Sequence, residues 1–462
     1  MTDYKPPKIS FCTTCKGRLN HLQKTVVHNL EANRGYPNFE YVLLDYASRD
    51  GMAGWVKNTF PTEIESGRVV YAYFPRGDKF HMTHAKNMAH RIASGNILVN
   101  VDADNFTPEG FAKYLAHKFT KKGNNIYMGV ENLDKDTKGG CGGRIAVTRG
   151  AFFLVGGYDE KFSGWSPDDK DFDRRLSSAG LIKHSIDDFF LKRIEHSDTE
   201  RLKNLASSDQ TFTDYKHQDV IAANTGKTLV NAGEIGCGEV YINFSETKTQ
   251  LKPVPSRVFG IGWHKTATTS LAKAFEILGL KALHWSPTLH RSLIYGERDL
   301  REVKDNYMLC DFPVPLVYPL LDAMNPGSKF ILTTREGDSW LKSIVSHMGL
   351  EAESIRRMHK RKKDTPDFPG GHAAHLCAYG TTRLDEGLFL RRFNAHNNEV
   401  REYFSERPDD LLTIDISKPE DDKERWQRII DFLGMRIPLP QEAYPKSFST
   451  EKRIENTKKR DT

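Results

Sequence analysis

The sequence predicts two α/β domains in tandem, each of layered strands and helices. Strand-like and helix-like segments alternate through both halves of the chain, the pattern of layered α/β architecture. At 462 residues the chain is long enough for two cores. Between the halves, ETKTQLKPVPS at 246–256 is polar, holds two prolines and has no apolar periodicity, so it reads as a linker. The expected organisation is a domain over 1–245, a linker over 246–256, a domain over 257–445 and a charged tail over 446–462.

In order, KISFCTT (8–14), FEYVLLDY (39–46) and VVYAYF (69–74) are apolar runs of strand length, with the helical stretch GRLNHLQKTVVHNL after the first. NILVNVDADN (96–105) is an apolar strand that ends abruptly in acids, and NNIYMGVE (124–131) follows it. Beyond the linker, RVFGIGW restarts with a strand, then a loop and the helix SLAKAFEILG. SKFILTTRE (328–336) is a strand ending in charge. LLTIDI (411–416) is a strand between two amphipathic helices, NNEVREYFSERPDD and KERWQRIIDFLG.

Charged residues make up 28% and hydrophobic ones 38%, as in a soluble globular enzyme. The net charge of +6 is too slight to argue for a nucleic-acid partner, yet it suits anionic ligands. No run approaches the roughly 18 apolar residues of a membrane span, and MTDYKPPKISF lacks the apolar stretch of a signal peptide, so a cytoplasmic protein is expected. The six cysteines are scattered, which argues against a disulfide framework. Cys12 and Cys15 form a single Cys-x-x-Cys with no second pair to complete a zinc site, so they read as small residues on a buried strand.

In the first half, Asp102 and Asp104 sit two apart at the C-terminal end of a strand, where alternation would send both carboxylates to one face. That edge of an open α/β sheet is the usual ligand side. Two neighbouring carboxylates suit a hard divalent cation, and an Asp-rich turn is the ordinary alternative. Downstream, GGYDEKFSGWSPDDKDFDRRLSSAG (156–180) packs Gly164, Trp165, Asp168, Asp169 and Asp171 into eight positions. Phe162, Trp165, Phe172 and Leu176 are interleaved with the acids. This pattern suggests a loop folded onto a helix start, where acids also suit the helix dipole. His196, in RIEHSDTERLKN, is a further ligand candidate.

These residues resemble the metal-dependent GT-A glycosyltransferases, in particular the β-1,4-galactosyltransferase and chondroitin-polymerase group with its Gly-Trp-Gly-x-Glu-Asp-x-Asp/Glu pattern. Gly164, Trp165, Asp168, Asp169 and Asp171 map onto it, with Ser166 in place of the second glycine and Asp168 in place of the glutamate. The resemblance covers about 1–205 and implies a GT-A fold and inverting glycosyl transfer from a nucleotide sugar, a UDP-sugar by analogy. It implies Asp169 as catalytic base, Trp165 and Asp168 as acceptor contacts, and Asp104 and His196 as ligands of Mn2+ or Mg2+. Asp102 is expected at the ribose or a metal-bound water, Asp45 at the uridine, and Lys86, in HAKN (84–87), near the diphosphate. A divalent ion would stabilise the leaving diphosphate, and a positioned carboxylate would take the acceptor proton.

In the second half, GIGWHKTATTSLAKAFEILG (260–279) runs strand, turn, helix. That arrangement aims backbone N–H groups and a helix dipole at one point, an anion site. Lys265 adds charge, and Thr266, Thr268, Thr269 and Ser270 add hydroxyls. His264 stands where a Walker A loop needs its second glycine, which weighs against a nucleoside triphosphate. The stretch resembles the 5′-phosphosulfate loop of sulfotransferases, Lys-x-Gly-Thr-Thr-Ser/Trp-Leu, with Ala267 at the glycine position. The family's 3′-phosphate element, an Arg ending a strand with a Ser eight residues later, matches Arg335 and Ser343.

The second resemblance covers about 257–445. It implies a P-loop-like fold with a central parallel sheet, the donor 3′-phosphoadenosine 5′-phosphosulfate (PAPS), and donor contacts from His264, Lys265, Thr266, Ala267, Thr268, Thr269, Ser270, Arg335 and Ser343. Lys265 would also neutralise the leaving phosphate. Asp311, in LCDFPVP, is the first candidate for the base, with His284 and His347 as the others. Together the two resemblances imply a bifunctional enzyme acting on a carbohydrate or glycolipid acceptor. A catalytically silent first domain and a C-terminal P-loop kinase are the alternatives.

Overall fold

The computed structural model describes residues 6–76, 79–131, 141–164, 166–194, 218–294, 296, 300–346, 376–381 and 385–446. The chain divides into two units, Met1–Val254 with Gly434–Pro438, and Pro255–Leu433 with Leu439–Thr462.

The first unit begins with four strands whose sequences are nearly all apolar: β1 (Ile9–Cys15), β2 (Phe39–Asp45), β3 (Val69–Tyr73) and β4 (Ile97–Asn100). They lie side by side and parallel in the order β3-β2-β1-β4. Such strands are covered on both faces, which is why they read as continuous hydrophobic runs. Phe11, Tyr41, Val42, Leu43 and Val99 are all fully buried. Cys12 and Cys15 lie within β1 as free, buried thiols, and burial pushes both of them up, Cys15 to about 12.

Two short strands, β5 (Asn105–Phe106) and β9 (Lys192–Arg193), pair with each other antiparallel, apart from the main sheet. β6 (Ile126–Gly129), β7 (Ala146–Thr148) and β8 (Ile182–Ser185) extend the sheet beyond β4, with β7 antiparallel to both β4 and β6. On the far edge, β10 (Gly238–Ile242) runs antiparallel to β3, and β11 (Lys248–Leu251) antiparallel to β10. Nine strands thus form this sheet among the described residues. The stretch read as a linker differs from expectation here. An edge strand needs burial on one side only, and Leu251 supplies it while Lys248 and Gln250 stay exposed.

The second unit holds a five-stranded parallel sheet in the order β13-β14-β12-β15-β16. Its strands are β12 (Val258–Gly260), β13 (Ala282–His284), β14 (Met308–Cys310), β15 (Lys329–Thr334) and β16 (Leu411–Asp415). The first strand of this unit in chain order, β12, sits in the middle, so the loop leaving it opens at the point where strand order reverses. Ligands of open α/β sheets bind at such points.

Three helices position the candidate sites: α1 (Met82–Ile92), α2 (Asp168–Ser178) and α3 (Thr268–Ile277). In α2, Phe172 and Leu176 are buried four residues apart, as helical spacing requires, and Phe162 is buried with them. The acids Asp168, Asp169 and Asp171 fall in the first turn.

Candidate active sites

In the first unit, β4 ends at Asn100, so Asp102 and Asp104 lie in a turn and not on a strand. The turn closes with the Asn105 N–H donating to the Asp102 carbonyl at 2.9 Å. Their proximity therefore comes from turn geometry and not from strand alternation. Asn100 Nδ2 donates to Asp102 Oδ1 at 3.0 Å, and Asn105 Nδ2 to Asp104 Oδ1 at 2.8 Å. Burial raises the Asp102 carboxyl; the charge of Lys86 opposes this and that of Asp104 adds to it.

The acids at the start of α2 meet this turn. Gly143 stands between them: a Cβ there would lie 2.9 Å from Asp102 Oδ2 and 3.0 Å from Asp169 Oδ2. The two oxygens thus flank a space smaller than a methyl group. Under them, Lys86 of α1 donates to Asp168 Oδ2 at 2.7 Å and Asp169 Oδ1 at 2.8 Å. Lys86 and Asp168 are 2% and 1% exposed, whereas Asp169 keeps 27%, so Asp169 is the member of the trio that reaches solvent. Burial of the carboxyl pushes Asp169 up to about 7; Lys86 opposes the shift, and the charges of Asp168 and Asp102 add to it. A carboxylate poised near neutrality is suited to accepting a proton.

Asp168 is sealed, with a further bond from Ser166 Oγ at 3.1 Å. The ammonium of Lys86, expected near the diphosphate, is instead directed at two carboxylates. Asp45 ends β2 fully buried, accepting from Ser48 N–H and Tyr71 Oη, each at 2.7 Å. Trp165 and His196 lie outside the described residues. The chain approaches Asp104 just before the latter, since Asn105 pairs with Arg193 and the Ile194 N–H donates to the Asp104 carbonyl at 2.8 Å. Among the described residues no group of three or more His, Cys, Asp or Glu is placed to hold a metal ion. The oxygen donor Asp104 fits a hard cation chemically, with His196 the residue needed to complete a pair of ligands.

In the second unit, the loop between β12 and α3 turns twice through left-handed backbone, at Lys265 (φ 63°) and Ala267 (φ 69°). The second explains why glycine is common at that position: side chains rarely adopt this conformation. Gly262 has no such freedom of choice. A Cβ there would collide with the Thr333 hydroxyl and carbonyl and lie 2.8 Å from Thr266 Oγ1. Close approach of the loop to β15 requires glycine.

Arg335 follows β15 and donates from Nη1 to the Lys265 carbonyl at 3.3 Å and from Nη2 to Ser339 Oγ. Its Nε is buried with no partner, an orphaned donor beside the loop. Ser343 lies half-buried on the following helix, 337–346. Thr268, Thr269 and Ser270 open α3, with Thr268 and Ser270 buried. Two expected donor contacts point elsewhere. His264 bonds Tyr379 Oη through Nε2, and Thr266 bonds the Trp263 carbonyl and Thr333 Oγ1, so both side chains brace the loop from inside.

His284, the last residue of β13, approaches Thr268 Oγ1 at 3.1 Å, Thr269 Oγ1 at 3.0 Å and Asp311 Oδ2 at 2.9 Å, all through Nε2. Burial would raise the Asp311 carboxyl. The hydrogen bond and charge of His284, with His264 and the Phe312 N–H, outweigh burial and hold it below the ordinary carboxylate range. His347 lies outside the described residues.

Sequence reasoning missed Tyr379, Thr333, Ser339 and Gly143. Ser339 alone had a usable signal, its i+4 spacing from Arg335. The others act across 43 to 116 residues of chain, where no local pattern registers.

The glycosyl transferase family 2 model matches residues 10–168, and the sulfotransferase domain model matches residues 257–452. The chain therefore carries two transferase domains, a glycosyltransferase domain of mixed α/β fold and a sulfotransferase domain with a five-stranded parallel sheet. No curated protein matches this chain. Among solved structures, a mannosyltransferase from Pyrobaculum calidifontis in complex with GDP-Man and Mn2+ aligns over 40% of this chain and 55% of its own, at 20% identity and TM-score 0.33. S. aureus TarS (1–349) aligns over 39% and 58%, at 11% identity and TM-score 0.32. GalNAc-T7 with UDP, GalNAc and Mn2+ aligns over 40% and 43%, at 17% identity and TM-score 0.33. The chain spans about half the length of these structures. Among the described residues no helix is long and apolar enough to cross a membrane.

Proposed function

We propose that this chain is a bifunctional glycan-modifying transferase. The first unit moves a sugar from a nucleotide sugar, a UDP-sugar by analogy, to a sugar hydroxyl with inversion. The second moves a sulfuryl group from PAPS to a carbohydrate hydroxyl. Convergence supports this reading: residues far apart in sequence meet at the C-terminal edge of each sheet. Asp102 and Asp169 meet across Gly143 in one unit, and Lys265 and Arg335 meet in the other.

In the first unit, Lys86 holds Asp169 Oδ1, which leaves Oδ2 to take the proton of the acceptor hydroxyl. The acceptor oxygen bonds to the anomeric carbon as the bond to the diphosphate breaks, and the electron pair leaves with the nucleoside diphosphate. Asp104 and His196 would hold a divalent cation, which supplies positive charge to that leaving group. Asp102 orients the donor side, and Asp45 lies at the β2 end where the base would sit.

In the second unit, Lys265, Arg335, Ser343 and the N–H groups at the start of α3 receive the phosphates. Thr268, Thr269 and Ser270 supply hydroxyl donors, with His264, Thr266 and Ala267 shaping the loop. Asp311 and His284 act as a pair: with the Nε2 proton directed at Asp311, Nδ1 is the basic nitrogen that takes the acceptor proton, and Asp311 stabilises the imidazolium that forms. The acceptor oxygen bonds to sulfur as the bond to the 5′-phosphate breaks, releasing adenosine 3′,5′-bisphosphate.

Two measurements test the reading. Nucleoside diphosphate release is followed over a panel of nucleotide sugars with Mn2+ or Mg2+, and is expected for one donor and lost in Asp104→Ala. Thermal melting is compared with adenosine 3′,5′-bisphosphate and with ATP. A stronger response to ATP refutes the sulfotransferase assignment.

A further inference from the structure

The neighbouring strands β13 and β14 end side by side, with His284 in register with Cys310. The residue after each, Trp285 and Asp311, turns left-handed, at φ 56° and 68°. The Trp285 N–H still donates to the Cys310 carbonyl at 3.1 Å, so this is an ordered strand end. Trp285 is also 43% exposed.

Both properties are unfavourable for a tryptophan. The left-handed region is strained for a residue that carries a Cβ, and an exposed indole leaves a large apolar face in water. Glycine or asparagine would make the same turn more cheaply. Backbone outliers of this kind cluster at active sites and ligand clamps, and tryptophan is enriched at interfaces. The position is next to the one group in this unit read as a base: Trp285 directly follows His284 and flanks Asp311 across the strand pair.

We propose that Trp285 is the platform on which the acceptor sugar of the second unit rests, its indole face against the C–H face of a pyranose ring. An indole suits that task because it offers a rigid flat apolar face and one polar N–H. It would set the acceptor hydroxyl beside His284 and select for pyranosides over flexible polyols. This inference rests on the carbohydrate sulfotransferase reading and adds the residue that recognises the sugar.

The test uses the full chain, saturated with adenosine 3′,5′-bisphosphate, and the probes lactose and sorbitol. Saturation-transfer NMR reads the ring C–H protons of lactose. Trp285→Gly removes the indole while fitting the backbone turn, and Trp285→Phe keeps a ring. Lactose transfer is expected to fall at least threefold in Trp285→Gly relative to wild type and to persist in Trp285→Phe, with sorbitol weak in all three. The melting shift with adenosine 3′,5′-bisphosphate is expected to be equal in all three, and the melting temperature of Trp285→Gly equal to wild type or higher.

Equal lactose signals in wild type and Trp285→Gly overturn the proposal, as does absence of any lactose signal in wild type. Loss of the nucleotide shift in Trp285→Gly overturns it too, by making the indole a donor contact. If the wild type itself shows no nucleotide shift, the underlying sulfotransferase reading has failed and the proposal goes with it.

Discussion

Lys86→Met should convert a working base into a neutral acid. In the wild type one ammonium lies 2.7 Å from Asp168 and 2.8 Å from Asp169, with Asp102 and Asp104 in the adjacent turn and the face of Tyr158 4.8 Å from Nζ. Methionine fills similar volume without the charge. An opposite charge at this range is worth about 1–3 pKa units. Asp169, already at about 7, therefore moves to roughly 8–10. At about pH 7.5 the ionised fraction, and glycosyl transfer with it, falls roughly 3- to 200-fold, recovering as pH rises. Stability follows the opposite course. Breaking a buried pair costs about 3–5 kcal/mol, and protonating one aspartate at about pH 7.5 caps the loss near 5 kcal/mol. A carboxyl whose folded pKa is raised binds its proton in the folded state first. Its penalty therefore grows as pH rises from the unfolded value towards the folded one, and the variant regains stability relative to wild type as pH falls towards about 4. The assay is nucleoside diphosphate release against pH, beside denaturant melts at the same pH values, with Lys86→Arg restoring most of both. An acid limb that stays near pH 7 in Lys86→Met, with donor KM raised instead, would show that Lys86 serves the diphosphate and not the base.

Two glycines give sharper contrasts. Gly143→Ala meets the side-chain tips of Asp102, Asp169 and Asn100, which can shift, so melting should change by only about 1 kcal/mol while nucleoside diphosphate release falls at least tenfold; an unchanged rate would separate these carboxylates from the chemistry. Gly262→Ala meets Thr333 backbone, which cannot swing aside, so it should abolish the melting shift with adenosine 3′,5′-bisphosphate and leave nucleoside diphosphate release intact. A retained shift would mean that the loop does not contact that ligand.

Much of the fold was legible because parallel strands announce themselves. β1, β2, β3 and β15 are apolar on both faces, and each was located to within a residue or two. The antiparallel edge was not. β10 and β11 carry few buried residues, and ETKTQLKPVPS looks polar because an edge strand is permitted to be. Site residues followed the same division. Asp168 and Asp169 could be read from composition and spacing, since acids at a helix start are a local pattern. Their pairing with Lys86, which the sequence placed near the diphosphate, could not. Lys86 lies 82 residues upstream, on a helix whose other residues gave no hint that its ammonium would be fully buried.

The structure also redistributes roles among residues that the motifs treated alike. In the loop after β12, the motif marks every residue from 264 to 270 as a donor contact. Packing divides them: His264 and Thr266 bond inward to Tyr379 and Thr333, and so hold the backbone at Lys265 and Ala267 in its two left-handed turns. A loop that must present N–H groups to an anion needs such bracing, because unbraced left-handed residues relax to ordinary backbone. The same logic separates Asp168 from Asp169. Adjacent acids of one motif differ in exposure from 1% to 27%: Asp168 is held through both oxygens, by Lys86 and by Ser166, whereas Asp169 is held by Lys86 through Oδ1. What a motif fixes is the set of residue types. Which of them reach the ligand is decided by partners that the motif does not contain.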